Sequence, residues 1–344
     1  MRVLVAMSGG VDSSVAAALL VAAGHEVVGA TLKLWGGASD SGCCSVADVE
    51  DARRVARLLG VEHHVFNFSD VFESRVVAPY AEGHAAGRTP NPCIECNRHL
   101  KFDVFLQRAL RLGFDSIATG HHARVVAAGG GKRVARGVDR AKDQSYVLSM
   151  LGQAQLCRLL LPVGEMTKAE VRARASAAGL PTAAKPDSQD VCFIAAEGGG
   201  RRGFLGSRVP LRPGRLVDSD TGAELGVVDA VELVTVGQRK GMGNGGGDAR
   251  RYAVDVDVNA ATVTVGPLER LLTHRVSVGP ATWSDVPLAA GEEVEVQTSA
   301  HGNPVPGRWE EDHVLFADRQ RRVAPGQTVA LYHGDLVAGS ALAL

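Results

Sequence analysis

Hydrophobic and polar positions in the first half of the chain switch repeatedly between two patterns. Residues 2–7 (RVLVAM) are an aliphatic run, as expected of a strand buried on both faces. Residues 12–23 are rich in Ala and Leu and stop at Gly24, which predicts a helix ended by glycine. The alternation continues with strand over 26–34, amphipathic helix over 46–59 closed by Gly60, strand over 61–68, helix over 97–112 closed by Gly113, and strand over 115–119. Strand and helix in this order predict an α/β fold with a doubly wound parallel sheet. Ligands on such sheets bind beyond the carboxyl ends of the strands, so chemistry is expected in the loops after Met7, Leu34 and Thr119.

The pattern changes near Cys192. Residues 197–203 (EGGGRRG) read as a linker. Beyond it come short alternating strands broken by Gly, Pro and Asp, as over 251–258, 261–265, 292–298 and 327–332. The expected organisation is a nucleotide-binding catalytic domain over 1–200, a small β-rich central domain over 201–266 and a C-terminal β-barrel over 267–344. The glycine-rich stretch 241–247 predicts a mobile loop.

Composition adds limits. Of 344 residues, 45% are hydrophobic and 22% charged, as in ordinary globular enzymes. No run of about 18 apolar residues spans a membrane, and the first apolar run is too short for a signal peptide. A cytoplasmic, membrane-free protein is expected, most simply a monomer. Its six cysteines then become candidates for catalysis or metal binding rather than structural disulfides. Cys157, on an Ala- and Leu-containing stretch, reads as a small buried hydrophobe, and Cys43 and Cys44 take the same reading. A net charge of −1 makes no global case for nucleic acid. Local basic clusters exist at Arg98, Lys101, Arg108 and Arg111, at Arg201, Arg202, Arg208, Arg212 and Arg215, and at Arg239, Lys240, Arg250 and Arg251. These suit either phosphate contacts or solvated faces balanced by acids.

The most specific local signal is Ser8-Gly9-Gly10-Val11-Asp12-Ser13-Ser14, between the first strand and the first helix. Glycines let the backbone approach phosphate oxygens, and the helix N-terminus adds N–H donors and a positive dipole end. Asp12 would face phosphates only with Mg²⁺ between them. The loop is neither GxxxxGK[ST] nor GxGxxG. It resembles that of the PP-loop ATP pyrophosphatases, which implies ATP cleaved between its α and β phosphates and an adenylated substrate.

Two cysteine-bearing segments narrow the substrate. Residues 87–97 (GRTPNPCIECN) precede a predicted helix, and residues 187–194 (DSQDVCFI) lie far downstream. Cys96 is expected beside a helix N-terminus, where the dipole favours thiolate. With these segments, the motifs ATGHH (118–122), KDQSY (142–146), LPVGE (161–165) and GQRKG (237–241) make the chain similar to the tRNA-specific 2-thiouridylases along its whole length. That resemblance implies thiolation of the wobble uridine U34 of tRNA. It implies ATP held by Ala6, Met7, Ser8, Gly9, Gly10, Val11, Asp12 and Ser13, with Leu32 and Gly120 lining the nucleotide, and magnesium at Asp12. It implies that Asn91, Pro92 and Cys93 meet the target base, that Lys142, Asp143 and Gln144 contact tRNA, and that Cys192 carries a persulfide with Cys96 as its catalytic partner. Acceptors for Lys, Glu and Gln and a persulfide sulfur-carrier protein complete the implied set.

Two departures leave alternatives open. Cys93 stands where many relatives have Asp. Cys93, Cys96 and Cys192 therefore also suit a [4Fe-4S] cluster with one open iron, as in other tRNA-thiolating PP-loop enzymes. Ser299 and Ala300 occupy the positions where the family has an Arg-Tyr pair for tRNA, on an expected strand at 296–301. A PP-loop ligase acting on a small metabolite, or an RNA-binding module without catalysis, are the competing classes. Neither accounts for both the phosphate loop and the paired cysteines.

Overall fold

The computed structural model describes residues 1–34, 45–187, 191–194, 199–242 and 250–344. Cys43, Cys44, Ser188, Gln189, Asp190 and residues 243–247 of the glycine-rich loop lie outside the described residues.

The N-terminal half contains strands β1 (Arg2–Ala6), β2 (Glu26–Lys33), β3 (Glu62–Asn67), β4 (Ser116–Ala118), β5 (Ala123–Ala128), β6 (Gly131–Arg136) and β7 (Leu159–Leu160), with helices α1 (Val11–Ala22) and α2 (Val46–Leu59). Five of the strands form a parallel sheet in the order β3-β2-β1-β4-β7. Side chains of β1 alternate between its faces. Val3 and Val5 pack with Val15 of α1, Val55 of α2 and Val171, while Leu4 packs with Phe72, Leu100 and Phe105. Helices cover both faces, and this is why the first strand is apolar from Val3 to Ala6. The strand order reverses between β1 and β4, which opens a ligand crevice at their carboxyl ends.

The cysteine helix begins earlier than its periodicity predicts. Pro92–Cys96, the π-helical Asn97–Val104 and Phe105–Arg111 follow one another without a break. The start moves because Asn91 caps it: its Oδ1 accepts from the N–H groups of Cys93 (3.0 Å) and Ile94 (3.3 Å). Proline suits the first helical position, where its missing N–H is not needed. Cys96 is therefore one turn inside the helix and Cys93 is in its first turn.

The expected linker at 197–203 holds a helix instead, Gly200–Gly206. Leu205, fully buried in the catalytic core, anchors it. Strands β8 (Gly214–Asp218), β9 (Glu224–Val228), β10 (Tyr252–Asp257) and β11 (Thr262–Gly266) make a four-stranded sheet. The last strands are β12 (Leu272–Ser277), β13 (Thr282–Trp283), β14 (Glu293–Gln297), β15 (Val305–Trp309), β16 (His313–Arg321), β17 (Thr328–His333) and β18 (Leu336–Leu342). They join the β5–β6 hairpin in one antiparallel sheet, with Leu336 of β18 opposite Ala135 of β6. β17 is buried on both sides. Val329 and Leu331 enter the C-terminal core, and Ala330 and Tyr332 enter the catalytic core. One strand thus serves as a wall shared by two cores.

Candidate active site

The phosphate loop leaves the end of β1 and is shaped by close approaches. Gly9 has φ +73°, and a Cβ there would lie 2.3 Å from the Asp48 carbonyl oxygen on α2. Ser13 Oγ accepts from the Ser8 N–H and donates to the Gly10 carbonyl, each at 3.2 Å. Ser14 Oγ donates to the same carbonyl at 2.8 Å. Gly120, after β4, lies against the first turn of α1, where a Cβ would be 2.5 Å from Ser13 N. The loop therefore offers backbone, hydroxyls and a helix N-terminus to a polyphosphate, a donor set that fits ATP. Ala6 is half-buried, and Met7, Val11 and Leu32 are buried. Met7 and Val11 support the loop from one core and Leu32 from the other.

Charged groups converge beside the loop. Lys168 Nζ donates to both Asp12 carboxylate oxygens at 2.8 Å and lies 2.9 Å from Asp187 Oδ1. His122 Nε2 is 3.1 Å from Asp12 Oδ1. Burial pushes the Asp12 carboxyl up, but hydrogen bonds from His122 and Lys168 outweigh it and hold Asp12 below its ordinary value. Asp187 also takes Lys142 Nζ at 2.8 Å and Arg172 Nη2 at 2.9 Å. The Lys142 bond, joined by Lys168 and opposed by partial burial, holds Asp187 far below the carboxylate range. Among the described residues no three His, Cys, Asp or Glu side chains assemble as a metal site. Magnesium would fit Asp12 as its one protein carboxylate, with phosphates and water completing the shell. Sequence reasoning missed Lys168, Arg172 and the Asp12 contact of His122. One signal was available: Lys168 opens the helix Lys168–Ala177, where a cation opposes the helix dipole.

Cys96 is 8% exposed, and Cys93 and Cys192 are half-buried. Cys96 and Cys192 pack into the same apolar cluster. The position of Cys192 is pinned by its neighbour Phe193, whose ring lies 5.5 Å from Phe72, 5.7 Å from Tyr80 and 5.0 Å from Phe204. Cys93, Cys96 and Cys192 do not converge as a ligand triad, because Cys96 turns into the core while Cys93 stays in the more open first turn. Cys157 corrects the sequence expectation: it is exposed. The helix Gln153–Leu156 is one turn long, and Leu156 takes its buried position.

The implied tRNA contacts divide. Lys142 is exposed and ion-paired with Asp187. Asp143 is half-buried, with its side chain 7% exposed, and accepts from Arg136 Nη1 (3.2 Å), the Gly137 N–H (2.8 Å) and the Ser145 hydroxyl (2.8 Å). Gln144 Oε1 accepts the His122 N–H at 2.8 Å, so it braces the histidine that meets Asp12. Ser299 and Ala300 lie in a turn rather than on the expected strand, because β14 ends at Gln297. Gln297 Nε2 donates to the carbonyls of Ser299 (2.9 Å) and Ala300 (3.3 Å) and curls the chain out of the sheet. Several arginines of the basic clusters are balanced by acids: Arg202 by Asp229, Arg208 by Glu73, Arg212 by Glu232 and Arg251 by Asp218.

Comparison with known proteins decides the family. Residues 1–196 match the family described as tRNA methyl transferase HUP domain, residues 202–267 its PRC-barrel domain, and residues 274–343 an aminomethyltransferase beta-barrel domain. The tRNA-specific 2-thiouridylase MnmA of Chloroflexus aggregans is 46% identical over 354 residues, covering 98% of this chain and 97% of that protein. The tRNA-specific 2-thiouridylase MnmA of Mycobacteroides abscessus is 46% identical over 363 residues, covering 99% of each chain. This chain belongs to the tRNA-specific 2-thiouridylase family. Membership accounts for a phosphate loop and a cysteine helix in one domain followed by two β-rich regions. Among solved structures, a 4-thiouridine synthetase–RNA complex with bound ATP is similar at a TM-score of 0.39 and 18% identity, over 56% of this chain and 44% of that one. No helix among the described residues is long and apolar enough to cross a membrane.

Proposed function

We propose that this thiouridylase-family chain uses ATP to replace the C2 oxygen of the tRNA wobble uridine U34 with sulfur, releasing AMP and pyrophosphate. The observation that carries the reading is 46% identity to a tRNA-specific 2-thiouridylase across 98% of the chain. The phosphate loop and Gly120 hold the nucleotide, and Lys168 neutralises charge on its phosphates. Magnesium at Asp12 would neutralise charge as the α–β bond breaks. The C2 oxygen of uridine attacks the α-phosphorus and becomes an AMP leaving group. The terminal sulfur of a Cys192 persulfide then attacks C2 and expels AMP. Cys96 thiolate attacks Cys192 Sγ, frees the thiocarbonyl and leaves a Cys96–Cys192 disulfide for an external dithiol to reduce.

Asn91, Pro92 and Cys93 are read as meeting the base; they open the helix Pro92–Cys96, and the segment leading into it is gripped by two other regions. The Thr89 N–H donates to the Pro325 carbonyl at 2.7 Å, and its hydroxyl meets Thr235 at 3.4 Å. Lys142 is the cation of its motif that faces RNA. Ser299 and Ala300 bring no charge, so contact there rests on backbone and on neighbouring His301 and Arg308. The acceptors for Lys, Glu and Gln, the persulfide carrier, the monomeric state and the cytoplasmic location remain parts of this reading.

The test is anaerobic incubation of unmodified tRNA with Mg-ATP and a persulfide donor, using wild type and the Cys93→Ser, Cys96→Ser and Cys192→Ser variants. Digested nucleosides are scored for 2-thiouridine by mass spectrometry. Wild type and Cys93→Ser form it; Cys96→Ser and Cys192→Ser do not. Pyrophosphate release that ignores tRNA points to a small-molecule ligase, and tRNA binding with no pyrophosphate sinks the enzymatic reading.

A further inference from the structure

Asp187 lies five positions before Cys192 and outside the phosphate loop, yet its carboxylate takes Lys142, Lys168 and Arg172. The three hydrogens of the Lys168 ammonium are matched by three acceptors, two on Asp12 and one on Asp187. A nucleotide phosphate therefore reaches Lys168 only by displacing a carboxylate. Lys142, on the outer side, is exposed and holds the same carboxylate at 2.8 Å with one of its three ammonium hydrogens. An RNA phosphate taken by Lys142 weakens its hold on Asp187.

The segment carrying Asp187 has its own attachments. Arg172 Nη1 donates to the carbonyls of Ala183 (2.8 Å) and Lys185 (3.0 Å). Lys185 Nζ donates to Asp48 (2.6 Å) and Asp51 (2.7 Å) of α2. Release of Asp187 from the two lysines thus leaves Arg172 and Lys185 to hold the backbone, so the carboxylate can exchange partners without unfolding its surroundings.

We propose that Asp187 is a shared counter-ion for a nucleotide-side lysine, Lys168, and an RNA-side lysine, Lys142, so that each substrate's phosphate displaces the same carboxylate and makes room for the other. Both substrates then favour one released state of Asp187, and two ligands that favour one state bind with positive coupling. The outcome is ordered chemistry: the nucleotide site is weak until RNA takes Lys142, which restrains ATP turnover on an enzyme without its tRNA. Asp187 is a positioning residue here, acting through the two lysines.

This inference rests on the thiolation reading for its RNA partner. The test measures equilibrium binding of α,β-methylene-ATP with Mg²⁺ to the full chain, with and without a saturating unmodified tRNA transcript bearing U34. In wild type the transcript tightens the analogue about five-fold or more. In Asp187→Asn the analogue binds without tRNA as tightly as wild type binds it with tRNA, and the transcript adds nothing. A purely structural role for Asp187 would weaken the analogue equally in both states. Lys142→Met supplies a second route: it tightens the analogue without tRNA and abolishes the response to it. Wild-type affinity that ignores tRNA, or an Asp187→Asn variant that keeps the five-fold response, overturns the shared counter-ion. If no transcript binds while Asp187→Asn still tightens the analogue, the tRNA reading fails and the competition at Lys168 stands.

Discussion

At the scale of single residues, close packing decides more of the nucleotide site than charge does. A methyl group at Gly120 would sit 2.5 Å from Ser13 N, against backbone that has no rotamer to adopt. Gly120→Ala should cost about 1–3 kcal/mol and weaken a nucleotide analogue by at least about ten-fold, as read by calorimetry and equilibrium binding. Gly130→Ala, with nothing within 4 Å, is the matched control and should change neither. His84 makes a different prediction. Burial, with the Arg201 charge, lowers its pKa to about 4 from 6.5. The unfolded chain then binds a proton between those values that the folded chain refuses, so folding stability falls as pH drops from 6.5 to 4. His84→Gln should flatten that part of the stability–pH curve by no more than about 3 kcal/mol, measured by urea unfolding at several pH values. An unchanged slope would remove His84 as its source.

At the scale of elements, the sequence was readable wherever a local rule closed the segment. Helix α2 starts at a reciprocal Ser45–Asp48 capping box and ends at Gly60 with φ +68°, and its predicted bounds coincide with those observed. The helix holding Cys96 starts five residues before its apolar periodicity does, because an Asn91 cap and Pro92 at the first position open it without any periodic signal. The β5–β6 hairpin escaped notice, although Gly129-Gly130 between two alternating runs is a turn signal. The role of Lys168 is not legible for another reason: its helix-opening position marks it as unusual, but its partner Asp12 lies at the far end of the domain sequence, and no local period records such a contact. The phosphate loop and the cysteines could be read because their residue types are uncommon and clustered. The balancing charges could not, since Lys, Arg and Asp are ordinary on any surface. Thr167 tests how far an element positions a functional group. Its hydroxyl caps the helix Lys168–Ala177 in a capping box with Glu170. Thr167→Ala should cost about 1 kcal/mol and, by loosening the turn that carries Lys168, raise the dissociation constant of the ATP analogue. A variant with lower thermal stability and unchanged binding would limit the cap to a structural role.

At the scale of the whole molecule, the seam between the catalytic core and the C-terminal sheet is polar at its centre and apolar around it. The Arg136 guanidinium lies 3.8 Å from the centre of the Tyr332 ring, pairs with Asp143 and donates to Gln297 Oε1 at 2.8 Å. Tyr332 OH meets Ser145 Oγ at 3.1 Å, and Tyr146 OH donates to the Thr328 carbonyl at 2.9 Å. Removing one member of a buried ion pair strands the other, so Asp143→Ala should cost about 3–5 kcal/mol. Lys142→Met, one residue away, should leave the melting temperature nearly unchanged and weaken tRNA binding. Calorimetry beside filter binding separates the two, and equal melting temperatures would contradict the seam.

The shared wall also bears on how the protein is made. A chain leaves the ribosome from its N-terminus, and domains ordinarily fold in that order. Here the β5–β6 hairpin finds its neighbouring strand in β18, far downstream in sequence, with Leu336 opposite Ala135. Tyr332 completes the first core from the same late region. During synthesis, therefore, the catalytic domain waits with an open sheet edge and an unfilled cavity until β17 and β18 have been made. An open edge is a template for mispairing, so the nascent chain is exposed to aggregation until β18 emerges to cover it.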